Sequence, residues 1–117
     1  MSEPSWQPCT LAWQPAFFLF GGAAPVSTPD AIRRYAEWKE REPGAAREFL
    51  LASNDALVSF VRAPSASEAL RRLAACRDLG IRLGDAIGVD ARIAAPAGVD
   101  SGSCKALGAG NELGLVM

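Results

Sequence analysis

Asp85, Asp90, Arg92 and Asp100 gather in a weakly patterned stretch near the end of a 117-residue chain. A carboxylate close to an arginine can orient a substrate or a water molecule. Loops beyond strand ends are where α/β folds place such groups. The plainer reading is an ion pair that pins a loop, because surface pairs are common and worth little. Gly21-Gly22-Ala23-Ala24 lies between an apolar run and a helix-start pattern. It can cradle an anion at a helix N-terminus or make a simple turn. No third glycine and no lysine follow, so neither nucleotide fingerprint is met. The stretch 98–105 superficially resembles a phosphate loop, but Gly102 is followed by Ser103 and Cys104. Arg62, Arg71, Arg72, Arg77 and Arg82 could form a phosphate-binding face. Glu68 and Asp78 share that segment, which favours a solvated helix side.

Composition removes several chemistries. The chain has no histidine, which excludes Ser-His and Cys-His nucleophiles and histidine-ligated metals. Cys9, Cys76 and Cys104 are odd in number and widely spaced, against a disulfide framework or a zinc knuckle. No metal and no organic cofactor is implied. The net charge of −1 provides no general attraction to nucleic acid or to an anionic membrane, and neither half of the chain is a basic arm. Residues 4–29 carry no charge, but their apolar centre is too short to span a bilayer and prolines interrupt it. They read as a buried strand, with the cytoplasm as the expected compartment.

The elements that would position these groups follow from patterning. Ala16-Phe17-Phe18-Leu19-Phe20 reads as a central strand ending at Gly21-Gly22. Thr28-Pro29-Asp30 starts a helix with Thr28 as its cap, and Ile32, Tyr35 and Ala36 line one face. Pro43-Gly44 breaks it, and residues 45–52 form a shorter helix anchored by Phe49 and Leu50. The centre of the reading is a strand–helix–strand unit over 56–83. Ala56-Leu57-Val58-Ser59-Phe60-Val61 is a near-continuous apolar run, typical of a strand buried on both faces. Ser65 and Glu68 make a capping box, Ala69, Leu70 and Leu73 form an apolar stripe, and Gly80 suits a helix end. Ile81-Arg82-Leu83 would begin the next strand, with short strand pieces at 86–89 and 92–95. Residues 98–110 read as loop and 113–117 as an edge strand. The sum is a single α/β domain with three layers, a mixed four-stranded sheet and helices on both faces. Residues 1–14, with Trp6 and Trp13, form an N-terminal arm before a 15–117 domain.

Across 45–83 this order resembles the class-2 peptidyl-tRNA hydrolases: a short helix, the strand Leu57 to Arg62, the Ala63-Pro64 exit, the helix from Ser65 and then Leu79-Gly80-Ile81. The resemblance extends back through Ala23-Ala24 and the Tyr35 helix. It extends forward to Asp90-Ala91-Arg92 and Ala95-Pro96-Ala97-Gly98, where the family has Asp-Ala-Gly-Arg and Ala-Pro-Gly. It departs where the family carries an activity-linked lysine after its first strand: Phe20 and Gly21 stand at those Gly-Lys positions, and Pro25 replaces a glutamine. The family's closing helix has no counterpart. The resemblance implies binding or hydrolysis of a peptidyl-tRNA-like ester. Asp90 would be the catalytic carboxylate, Arg92 and Lys105 would contact substrate, and Gly21 and Gly22 would border it. The alternative is a non-catalytic protein-binding module on the same scaffold, docking through the Trp6/Trp13 arm. The partner would accordingly be tRNA or a protein, without a membrane, and the chain is compatible with a homodimer.

Overall fold

A computed structural model describes residues 8–14, 16–22, 27–107, 110–111 and 113–117. Trp6, Ala23, Ala24 and Pro25, named above, lie outside the described residues. Three helices, α1 (Thr28–Arg41), α2 (Pro43–Val61) and α3 (Ala66–Ile87), are joined to three short strands, β1 (Phe18–Gly21), β2 (Cys104–Leu107) and β3 (Leu113–Val116). The sheet is antiparallel throughout, in the order β1-β3-β2. The expected mixed four-stranded sheet between two helix layers is therefore incorrect. Two of its strands, at 56–61 and 81–83, are helix.

The local reasons are specific. Residues 45–53 favour helix, with Ala45, Ala46, Arg47, Glu48, Leu50, Leu51 and Ala52. No glycine or proline separates them from 56–61, so the helix propagates instead of turning at Ser53-Asn54-Asp55. The apolar run is then divided around a helix. Ala56 and Phe60 are half-buried, while Leu57 and Val58 are 56% and 46% exposed. A short apolar run cannot be assigned to strand or helix by periodicity alone. Here the strand at 57–62, on which the family resemblance was anchored, is absent.

The α1 and α3 starts match the sequence closely. Ser27, one residue before the expected cap, accepts the Asp30 N–H at 3.3 Å, and Pro29 lies in the first turn. Ser65 caps α3 by accepting the Glu68 N–H at 3.3 Å. The Glu68 carboxylate does not close the box. It pairs with Arg72 at 3.3 Å and Arg71 at 3.4 Å, one turn further on. Gly80 is not the helix end. The helix runs through Gly80 and Gly84 and stops at Gly88, which takes φ 79° while its N–H bonds the Gly84 carbonyl. A Cβ at Gly80 would meet no other atom within 4 Å. Gly80→Ala should therefore stabilise the protein by about 0.5–1 kcal/mol, through helix propensity. A loss of stability in thermal or denaturant unfolding would restore the helix end to Gly80.

Two aromatic clusters hold the helices. Trp13, at 8% exposure, packs with fully buried Ala63 and Ala69, flanked by Leu11, Phe60 and Met117. Its ring meets Phe60 edge-on at 5.7 Å and Phe17 at 6.2 Å. Trp13 thus belongs to the core with Leu11 packed against it, and is not available as a docking anchor. Trp38, at 7% exposure, packs against Tyr35 and Phe49 where α1 meets α2. Leu73 on α3 is buried at 3%.

The C-terminal region was expected as loop followed by an edge strand. It instead supplies two strands, with β3 in the middle of the sheet. Alanine and cysteine fill the inward positions of β2, at Ala106 and Cys104. Gly114 lets two side chains cross β3. A Cβ there would lie 2.4 Å from the Phe20 ring and 2.6 Å from Ile93 Cδ1. Residues 92–95 are irregular, and 86–87 complete α3.

Candidate functional site

Asp85 stands in the last turn of α3, and Asp90 and Arg92 follow in the loop that leaves it. Arg92 makes a two-pronged pair with Asp85, Nη1–Oδ1 2.8 Å and Nη2–Oδ2 2.7 Å. Its backbone N–H donates to Asp90 Oδ1 at 2.9 Å, and Nη1 reaches the same oxygen at 3.3 Å. The first of these is an Asx turn, in which a short carboxylate satisfies the backbone two residues on. The fork geometry suits arginine and would be lost with lysine.

The electrostatics follow from that geometry. Hydrogen bonding to Asp85 raises the Arg92 pKa, and Arg92 lowers the Asp85 pKa. A carboxylate held this way is a weaker base than a free one. All three side chains remain more than half exposed, so the cluster is solvated and the pair contributes little to stability. Its effect is positional: it ties the loop back to α3 and holds Ile93 over Gly114.

Gly21 closes β1 opposite Leu113. Gly22 lies against the 110–111 turn, where a Cβ would come 1.9 Å from the Asn111 carbonyl oxygen and 2.9 Å from Ile93 Cδ1. Close backbone approach requires glycine there, and the approach is to this chain's own backbone. Lys105 on β2 is half-buried and donates through Nζ to the Ala106 carbonyl at 2.9 Å. Burial lowers its pKa; only the ionised form of the nearby Cys76 would oppose this, and burial raises the Cys76 pKa. Asp100 is separate from the Asp85–Arg92–Asp90 cluster and caps the short 101–103 turn by accepting the Gly102 N–H at 3.0 Å.

A cavity of about 300 Å³ adjoins Arg92, lined by Arg77, Ile81, Ala91, Ile93, Gly102 and Cys104. Lys105 is not on its wall. Arg77 donates to the Gly102 carbonyl at 3.2 Å. Among the described residues there is no group of histidine, cysteine or carboxylate side chains able to hold a metal ion. The structure therefore brings Asp90, Arg92 and Asp85 together, with Gly22 reaching them only through Ile93. Sequence reasoning missed Arg34, which accompanies Arg33 in pairing with Asp30 and also donates to the Gly88 carbonyl at 3.1 Å. The i, i+4 spacing of Asp30 and Arg34 was visible in the sequence. The reach across to α3 was not.

Comparison with family models, with curated proteins and with solved structures finds no match for this chain. Among the described residues, no helix is long and apolar enough to cross a membrane.

Proposed function

We propose that this chain is a non-catalytic protein-binding module. The observation that carries the reading is an inversion of burial. Leu50, Leu51, Leu57 and Val58 on α2 are 46–56% exposed, and Phe18 and Leu19 on β1 are 67% and 64% exposed. The buried hydrophobic set among the described residues, by contrast, is four alanines and two tryptophans with only Leu73, Val89 and Cys104 besides. Scattered apolar residues on a surface are ordinary, but adjacent ones on one helix face mark an interaction surface. The charged cluster supports the same reading. Arg92 is neutralised by two carboxylates, and a family-type lysine does not stand in the chain at Gly21.

A second reading, turnover of a peptidyl-tRNA-like ester, is favoured by the proximity of Asp90 and Arg92. Preorganised positive charge is usually the largest catalytic contribution in acyl transfer, and here it is already engaged. Purified protein, at stoichiometric concentration, should release no peptide from peptidyl-tRNA. Release by the wild-type chain that disappears in Asp90→Asn would overturn the non-catalytic reading. The fold of that variant should be intact, because an exposed loop carboxylate contributes little to stability.

A further inference from the structure

The central two turns of the exposed face of α2 are apolar in the same pattern read in either direction. Leu50 and Leu51 precede Asn54 by four and three residues, and Leu57 and Val58 follow it by three and four. At 3.6 residues per turn these five positions form one stripe along the side of α2 turned to solvent, continued by exposed Arg47 at one end and half-buried Val61 at the other. Two copies of such a helix, laid antiparallel about a twofold axis at Asn54, bring Leu50 against Val58 and Leu51 against Leu57 over the central turns, and beyond them Arg47 comes opposite Val61. Self-complementarity of this kind is what an isologous contact requires.

From this geometry we infer that the partner of the α2 stripe is a second copy of this chain, paired antiparallel about Asn54. The inference rests on the reading of the chain as a binding module and names its partner. Charge supports it. Every ion pair among the described residues lies on α1, α3 or the loop after α3. Among the described residues Arg47, Glu48 and Asp55 on α2, and Arg62 at its C-terminal cap, have none. In the antiparallel alignment Glu48 of each copy comes beside Arg62 of the other, on the same flank of the stripe. Asp55 lies at the rim close to its symmetry mate, where water screens it. The two Asn54 amides meet at the axis. A single polar pair in an apolar helix seam fixes register at some cost in affinity.

The shape is also suited. Pro8, Cys9, Thr10 and Ala12 wall a groove of about 570 Å³ along Leu57, Val58, Val61 and Arg62. The alignment that opposes Asn54 to Asn54 opposes Leu50 of one copy to Val58 of the other, so Leu50 enters this groove. Because the contact is twofold, both grooves fill at once.

Sedimentation velocity on the full chain should show a dimer. Leu57→Glu should raise its dissociation constant about a hundredfold, as expected for losing a central apolar anchor. Leu57 is exposed in the single chain, so circular dichroism should stay unchanged. Register is tested in a Cys9→Ser background by mixing Leu50→Cys with Val58→Cys chains under mild oxidation. The antiparallel pair joins the two different chains, whereas a parallel pair would join like with like and overturn the alignment. A wild-type chain that is monomeric at every concentration would overturn the inference. So would a monomer that associates only after deletion of residues 1–7, since its own N-terminal segment would then cover the stripe. Neither result bears on peptidyl-tRNA turnover, so failure of this inference is distinct from failure of the non-catalytic reading.

Discussion

Trp13→Ala should lower the unfolding free energy by about 3–5 kcal/mol, the usual cost of emptying a buried tryptophan site. The ring is 8% exposed and lies between Ala63 and Ala69, with Phe17 and Phe60 edge-on to it. Small neighbours leave little to collapse into the void, which places the expected cost toward the upper part of that range. Trp13→Phe should cost much less. It keeps an aromatic ring in the cluster, and it removes an indole Nε1 that is buried with no hydrogen-bond partner among the described residues. Leaving a buried donor unsatisfied costs about 1–3 kcal/mol, so its removal offsets part of the lost packing. Urea unfolding measures both variants. An alanine variant within about 0.5 kcal/mol of wild type would make residues 8–14 a detachable arm.

Leu73→Ala should cost about 2–5 kcal/mol. Leu73 is 3% exposed on α3, the helix that packs most extensively on α2 and also lies against β2. A cavity there loosens the joint between the helices and the sheet. Leu70→Ala, one turn earlier and only half-buried beside Met117, should cost less. The comparison separates burial from residue type, since both remove the same atoms. The denaturant midpoint should fall for Leu73→Ala with the slope unchanged. A loss below about 0.5 kcal/mol would mean that the α3 stripe does not face the core.

The two variants probe different halves of the structure. Trp13 reports on the clamp between the N-terminal segment and the α2–α3 connection. Leu73 reports on the α3 face itself. Ala69, which packs on Trp13, stands one turn before Leu73 on α3, so the double variant measures whether the two sites couple.

Helix starts were legible in the sequence because they are decided locally. Ser65 and Glu68 stand three apart, and Thr28-Pro29-Asp30 carries its own cap chemistry, displaced in the structure by a single residue to Ser27. The association of Asp90 with Arg92 was legible for the same reason, since a carboxylate two residues before an N–H needs no distant partner. A strand at 18–20 was also readable from its aromatic, uncharged composition, but not its place: expected central and buried, it is an edge strand with Phe18 and Leu19 67% and 64% exposed.

The rest was decided by tertiary structure. The run 56–61 is apolar but for Ser59, so its pattern fits a doubly buried strand or a helix equally well. The unbroken helix-forming segment before it, and packing on α3, select helix. Gly80 and Gly88 are both plausible helix ends. Only Gly88 adopts the left-handed conformation, and its carbonyl receives Arg34 from α1. The pairing of β1 with β3 joins segments some ninety residues apart, and no local pattern records such a register. Nor does any local pattern show that Leu50, Leu51, Leu57 and Val58 face water: hydrophobicity alone would bury them, and the direction in which a helix turns its second apolar side is set by what else packs against it.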